Sequence, residues 1–100
     1  MSKYYNGWVN YETWRVNLEM LDGMTAEDFG VSASDVEDDR SATVSRLAST
    51  LEEFVNETVE SQASGFALDI AQSFLKSVDW YEIADHFVTD IDYEIAHGKG

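Results

Sequence analysis

The chain has 100 residues, with 20 Asp or Glu against 6 Lys or Arg, and a formal net charge of -14. Its length argues for one domain over residues 1–100, and an apolar fraction of 44% with 13 aromatics can build a core, which excludes a disordered acidic tail. The charge excludes a general binder of DNA, RNA or anionic membrane, because such a surface needs the opposite sign.

The segment YYNGWVNY at the N-terminus reads as a short extended piece with no partner strand. Asn10 is a good N-cap, and Tyr11, Trp14, Leu18 and Leu21 follow at 3-4-3 spacing as the apolar stripe of a first helix. Gly23 is placed to end it in a left-handed cap. A short turn or helix follows from Thr25 to Phe29, stopped by Gly30. Residues 31–41, VSASDVEDDRS, read as an acidic loop with room for one helical turn, since Ser34 and Glu37 have capping-box spacing.

The second helix, about Ala42 to Ser61, has the clearest pattern. Val44, Leu47, Leu51, Phe54 and Thr58 recur at 3-4-3-4 spacing, and Val55 and Val59 widen the stripe. A third helix follows Ser64, with Ala67, Ile70, Ala71, Phe74, Leu75 and Val78 inward. A fourth starts near Asp79, whose spacing to Glu82 suits a capping box, and its stripe is Trp80, Ile83, Ala84, Phe87, Ile91 and Ile95. The tail from His97 to Gly100 is expected to fray. The expected architecture is an all-α bundle of about four helices with an aromatic N-terminal segment packed over it.

Five of the 13 aromatics fall in the first 14 residues: Tyr4, Tyr5, Trp8, Tyr11 and Trp14. Trp14 reads as core, Trp8 and Tyr11 as a lid, and Tyr4 and Tyr5 as exposed. Core and lid are favoured over a partner anchor for the cluster as a whole.

Cysteine is absent, so thiolate nucleophiles and Cys-based metal sites are excluded. The opening MSKYYNGW lacks a signal-peptide apolar run, and no segment approaches the roughly 20 apolar residues of a membrane span. A soluble cytoplasmic protein of a bacterial host cell is the expectation, with no membrane partner. His86 and Asp90 are helical neighbours that could pair or hold a metal weakly, but two ligands do not make a site. Asp90, Asp92 and Glu94 alternate like a calcium loop, yet Ile95 stands where that loop needs Gly. No phosphate loop or nucleophile motif is present. No catalytic residue, metal ligand or cofactor is expected.

Acid placement is more informative. Glu53, Glu57 and Glu60 project away from the Leu51 side of the second helix, and like charges at these spacings cost about 0.2–0.5 kcal/mol per pair. Asp35, Glu37, Asp38 and Asp39 crowd the preceding loop. Glu82, Asp85 and Asp92 lie off the stripe of the fourth helix. Such acids suit mimicry of a polyanion, but duplex DNA carries about one charge per 1.7 Å. One helix is too sparse, so a mimic needs two acidic elements side by side.

GWVNYETW (Gly7 to Trp14) and VDWYEIADHF (Val78 to Phe87) resemble paired motifs of a family of small uncharacterised proteins from phages, plasmids and integrated elements of bacteria. There an N-Y-E-T-W start is followed by a segment like V-N/D-W-x-E-I-A-E-H. The resemblance covers the first helix and the junction of the third and fourth; residues 22–62 lie outside it. It implies a mobile-element setting and a helical fold, and carries no known activity or active site. Asn10, Tyr11, Glu12, Thr13 and Trp14 match the first motif, implying a shared capped helix start. Glu82 and His86 match acidic and His positions of the second.

In size, charge and setting the chain is also similar to anti-CRISPR and anti-restriction proteins. The functional expectation is therefore an inhibitor of a bacterial defence system, foremost an anti-CRISPR protein. Its partner would be a Cas surveillance complex or another Lys/Arg-rich nucleic-acid-binding host protein, met through Asp35, Glu37, Asp38, Asp39, Glu53, Glu57 and Glu60, with no direct contact to nucleic acid. The alternatives are an anti-restriction protein, a regulatory adaptor that binds a basic host factor without competing with DNA, and an enzyme using His86.

Overall fold

Asn6-Gly7 is a strong sequence signal for a two-residue hairpin turn, because both central residues must take positive φ. Asn6 has φ 50° and Gly7 φ 89°. The flanking residues pair with each other, Tyr5 N–H to Trp8 O at 2.6 Å and Trp8 N–H to Tyr5 O at 2.9 Å. The entry segment is thus a tight turn whose extended arms are each other's partner. It belongs to a computed structural model that describes residues 5–97.

Among the described residues the regular elements are all helical. They are α1 (Tyr11–Val16), which continues as a π-helical turn (Asn17–Leu21), a 3-10 helix (Ala26–Phe29), α2 (Ala33–Asp38), α3 (Arg40–Gln62), α4 (Gly65–Leu75) and α5 (Trp80–Ala96). No helix among them is long and apolar enough to cross a membrane.

The all-α bundle stands, and its four expected helices gain a fifth. The helical turn expected within residues 31–41 is a full short helix over residues 33–38, and its capping box is formed by Ser32 and Asp35, not by Ser34 and Glu37. Val36 then reaches the core, and the buried Thr43 hydroxyl donates to Asp35 O at 2.9 Å, tying α2 to α3.

The stripe of the first helix also changes. Thr13, Val16 and Leu21 are buried, whereas Tyr11 and Leu18 are 37% and 45% exposed. A regular helix advancing 100° per residue would carry Leu21 away from the Thr13–Val16 face. The wider π turn advances less per residue and brings Leu21 back beneath that face. Asp22 (φ -60°, ψ 134°) and Gly23 (φ 84°) then form a type II turn, closed by Met24 N–H to Leu21 O at 3.0 Å. Gly23 is left-handed as expected, but as the third residue of this turn, where a Cβ would be strained.

The core lies between α3 and α5. Leu47, Leu51 and Val55 face Ile83, Ala84 and Val88, all fully buried or nearly so. Val88 is an addition to the expected stripe, while Ile95, in the last turn of α5, is exposed. Phe29 closes one end, edge-on to Phe54 with ring centres 5.3 Å apart. α4 departs most from its pattern. Within it only Leu75 is buried, and Ala67 and Ile70 are exposed.

The entry segment is fastened to the start of α5 by hydrogen bonds. Asn10 Oδ1 accepts the Thr13 N–H at 2.9 Å and the Thr13 hydroxyl at 2.6 Å, while Asn10 Nδ2 donates to Ser77 O at 2.7 Å. Thr13 Oγ1 in turn accepts the Asp79 N–H at 2.8 Å. Asp79 caps α5 as expected, through the Glu82 N–H at 3.0 Å. Glu82 does not return the bond: its Oε1 accepts the Val9 N–H at 2.9 Å.

The buried Thr13 hydroxyl therefore serves two partners at once. Thr13→Val keeps the shape and strands the Asp79 N–H, so it should destabilise the fold by about 1–3 kcal/mol. Thr13→Ser, which keeps the hydroxyl, should cost less. Urea unfolding of both variants checks this, and a valine variant as stable as the serine one would refute the clamp.

Candidate functional site

The acidic residues separate into those held by the fold and those left outward. Asp35 is half-buried. Its carboxylate accepts the Ser32 N–H at 2.9 Å and the Ser32 hydroxyl at 3.1 Å, and lies 3.5 Å from Arg46. The Ser32 amide, then the hydroxyl, and to a lesser degree Arg46 hold this carboxyl below the usual aspartate range. Asp39 is the N-cap of α3 and accepts the Ala42 N–H at 3.1 Å. Glu37 and Asp38 are exposed on α2.

Glu53, Glu57 and Glu60 stand on the face of α3 opposite the buried Leu47–Leu51–Val55 stripe. All three are exposed, and none has an ion-pair partner among the described residues. The three arginines are committed elsewhere. Arg15 pairs with Glu19 at 2.9 Å, Arg46 with Asp35, and Arg40 reaches across to α5. There its guanidinium meets Asp92 Oδ2 at 2.8 Å and Asp85 Oδ1 at 3.0 Å, which hold it firmly protonated.

The acids expected to lie free on the last helix are therefore engaged within the fold. Asp85 and Asp92 hold Arg40, and Glu82 holds the Val9 amide. These three residues therefore do not supply a free second acidic row beside α3. The remaining neighbour is α2, and the Arg46–Asp35 contact places it beside the first half of α3. From Asp39 to Glu53 the axial rise is about 21 Å, and to Glu60 about 31 Å. Arg46, Ser49 and Thr50 occupy the outer face between. The seven expected contact residues thus form two acidic groups, one on α2 and the cap of α3 and one along the second half of α3, at about a third of the linear charge density of duplex DNA.

The aromatic segment divides between lid and surface. Trp8 is half-buried and stacks on the His86 ring, with centres 4.1 Å apart and planes 25° from parallel. Tyr5 is 41% exposed and packs edge-on against Tyr11 and Trp14. Tyr4 lies outside the described residues, as do Gly98 to Gly100 of the tail. His97 itself caps α5, with its N–H donating to Tyr93 O at 3.0 Å and its ring stacked on Tyr93.

Chemically the arrangement offers charge and shape. Neither histidine hydrogen-bonds to a hydroxyl or carboxylate, and no three His, Asp or Glu side chains converge on a metal position, both among the described residues. Asp90, Asp92 and Glu94 are helical, and Asp92 is spent on Arg40. The groove between α3 and α5, about 890 Å³, is open and is crossed by the Arg40 pairs.

A family model matches residues 1–96, which include both the hydrogen-bonded entry segment and the helix it caps. The chain belongs to DUF7249, a family of unknown function. Comparison with curated proteins and with solved structures gives no match. In this DUF7249 chain the positions singled out by the two sequence motifs hold the fold together: Asn10 and Thr13 clamp, Glu82 anchors Val9, and His86 carries Trp8. Sequence reasoning missed Arg40. Its signal was rarity, since it is one of three arginines among 20 acids.

The lowered carboxyl of Asp35 gives a pH dependence. Its stabilising contribution is present above the unfolded value of roughly 3.9 and is lost as pH falls through the lower folded value. The stability gap between the wild type and Asp35→Asn should be steady from about pH 5 to 7 and shrink below about pH 4. Urea unfolding at stepped pH measures it, and a gap that persists undiminished into strong acid overturns the assignment.

Proposed function

We propose that this chain is a binding protein of bacterial counter-defence, foremost an anti-CRISPR protein, which occupies a Lys/Arg-rich surface of a nucleic-acid-handling complex and keeps target DNA from it. One observation carries the reading: every arginine is paired within the fold, while Glu53, Glu57 and Glu60, along one face of α3, have no ion-pair partner among the described residues. Such a row costs helix stability by itself, and a cationic partner would offset that cost. Asp35, Glu37, Asp38 and Asp39 extend the charge at the other end of α3. The low linear density favours contact with a few basic side chains over imitation of a continuous duplex. Complementary charge would speed encounter, and apolar contacts would hold the complex.

The test begins with capture from a bacterial host carrying the defence system, with mass spectrometry of what is retained. A Cas subunit, or a restriction or methylation enzyme for the anti-restriction variant, is the expected partner. Glu53→Lys with Glu57→Lys should leave the helical circular dichroism unchanged and abolish inhibition. Wild-type binding should also weaken with salt and be excluded by duplex DNA. Full inhibition by the double variant would remove the proposed face. Binding that tolerates both salt and DNA would instead identify a regulatory adaptor. His86→Ala should retain inhibition, and its loss with the fold intact would revive the enzymatic alternative.

A further inference from the structure

Beside the Glu53, Glu57 and Glu60 row, α3 presents a second stripe. Ser45, Ala48, Ser49 and Glu52 recur at i, i+3, i+4 and i+7, about a quarter turn from that row. They form one wall of a cavity of about 540 Å³, and Val9, Asn10 and residues 77–81 at the start of α5 form the rest. Two acids line it, Glu52 and Asp79, and no Lys, Arg or His does. Glu52 is exposed and has no ion-pair partner among the described residues. Two aromatic residues stand with them. Trp80 is half-buried, and Tyr81 is 54% exposed, its hydroxyl donating to Ser45 Oγ at 2.7 Å. The groove of about 890 Å³ shares Ser45, Asp79 and Tyr81 with this cavity, and adds Asp39, Glu82 and Asp85 against Arg40 alone. Five acids thus line the two together, against one arginine that is itself paired with Asp85.

We propose that the cavity lined by Glu52, Asp79, Trp80 and Tyr81 receives an arginine side chain of the partner protein. Charge sets the class of occupant. An anion would suit the first amides of α5, but the Asp79 carboxylate already stands there as the cap. An apolar side chain would take two carboxylates out of water without a counter-charge. A cation meets both acids, and a guanidinium meets more of the lining than an ammonium does. Its planar fork bonds a carboxylate while its face stacks on an aromatic ring, and the cavity holds both kinds of group. The inference rests on the reading of α3 as a face for basic side chains, and adds the place where one of them is anchored. Glu52 adjoins Glu53, so a basic segment lying along the row runs beside the cavity.

The experiment titrates the full-length chain, isotopically labelled for NMR, with a blocked peptide of one Arg flanked by glycines, at low salt. The same peptide with Lys, or with citrulline, which keeps the shape of Arg and lacks its charge, serves as control. The Arg peptide should bind about tenfold more tightly than the citrulline peptide and about threefold more tightly than the Lys peptide. The largest amide shifts should fall on Ser49, Glu52 and Tyr81. Glu52→Gln, at an exposed position, should weaken binding about tenfold and Tyr81→Ala about threefold, and Glu53→Lys with Glu57→Lys should weaken it less than Glu52→Gln does. Equal binding of the citrulline peptide would overturn the cation, and equal binding of the Lys peptide the guanidinium. Shifts confined to residues 53–60, or wild-type binding by Glu52→Gln, would overturn the cavity. Tighter binding of spermidine than of the Arg peptide would make a small free cation the occupant and overturn the partner side chain. None of these readouts uses inhibition. A cavity that fails here leaves the Glu53–Glu57 face standing, and full inhibition by Glu53→Lys with Glu57→Lys removes that face without altering the peptide titration.

Discussion

The fold depends on one hydroxyl. Thr13 is fully buried, and its Oγ1 joins the cap of the first helix to the cap of the last. Through it the Asn10 carboxamide, the Ser77 carbonyl and the Asp79 amide become one network, although the segments lie more than sixty residues apart in sequence. A buried network of this kind is costly when half satisfied and specific when complete. Completed here, it sets where the entry turn sits, places Trp8 over His86, and lets Glu82 secure Val9. The contact of α3 with α5 is the most extensive between two elements, but does not by itself determine where the first helix lands.

A second constraint is the scarcity of positive charge. The three arginines are used where each can join two segments or steady a turn, and Arg40 does the most, spanning from the start of α3 to two aspartates of α5. Such half-exposed pairs are individually modest, and gain by acting as a fork with bonds to both carboxylates. The surface that remains is accordingly acidic by subtraction. Only Glu19, Asp35, Asp85 and Asp92 have an arginine partner among the described residues, and the row on α3 is among those left without one.

Much of this was legible in the amino-acid order. The 3-4 spacing from Val44 to Thr58 specified α3, and Asn10, Asp79 and the Ser64 region marked helix starts correctly, because capping is local chemistry. The acids on the outer face of α3 followed from the same periodicity. What was not legible came from interactions without a local signature. A uniform period of 3.6 cannot announce a π turn, so it assigns Leu18 to the core and omits Val16. In residues 31–41 two overlapping capping-box spacings are present, Ser32–Asp35 and Ser34–Glu37, and local sequence does not choose the one that starts α2. Glu82, Asp85 and Asp92 looked free because their partners, Val9 and Arg40, are brought near only by the tertiary fold. In α4 the apolar pattern specifies the helix and the inward Leu75, Phe74 and following Val78, but not the exposure of Ala67 and Ile70, since periodicity tells which side is apolar and not whether anything covers it.

The π turn has a consequence beyond burying Leu21. It makes the first helix a vernier: residues up to Val16 and residues from Leu21 onward obey two angular frames, offset by the extra width of a single turn. Thr13 can therefore stay aligned with the distant cap of α5 while Leu21 meets the core, a combination that one rigid cylinder of this length does not allow. The residues within the offset belong to neither frame, and are released from both tasks. Leu18 turns outward and Met20 lies along the wall facing α4. The slack that reconciles two internal obligations is thereby what gives the molecule an apolar edge to show.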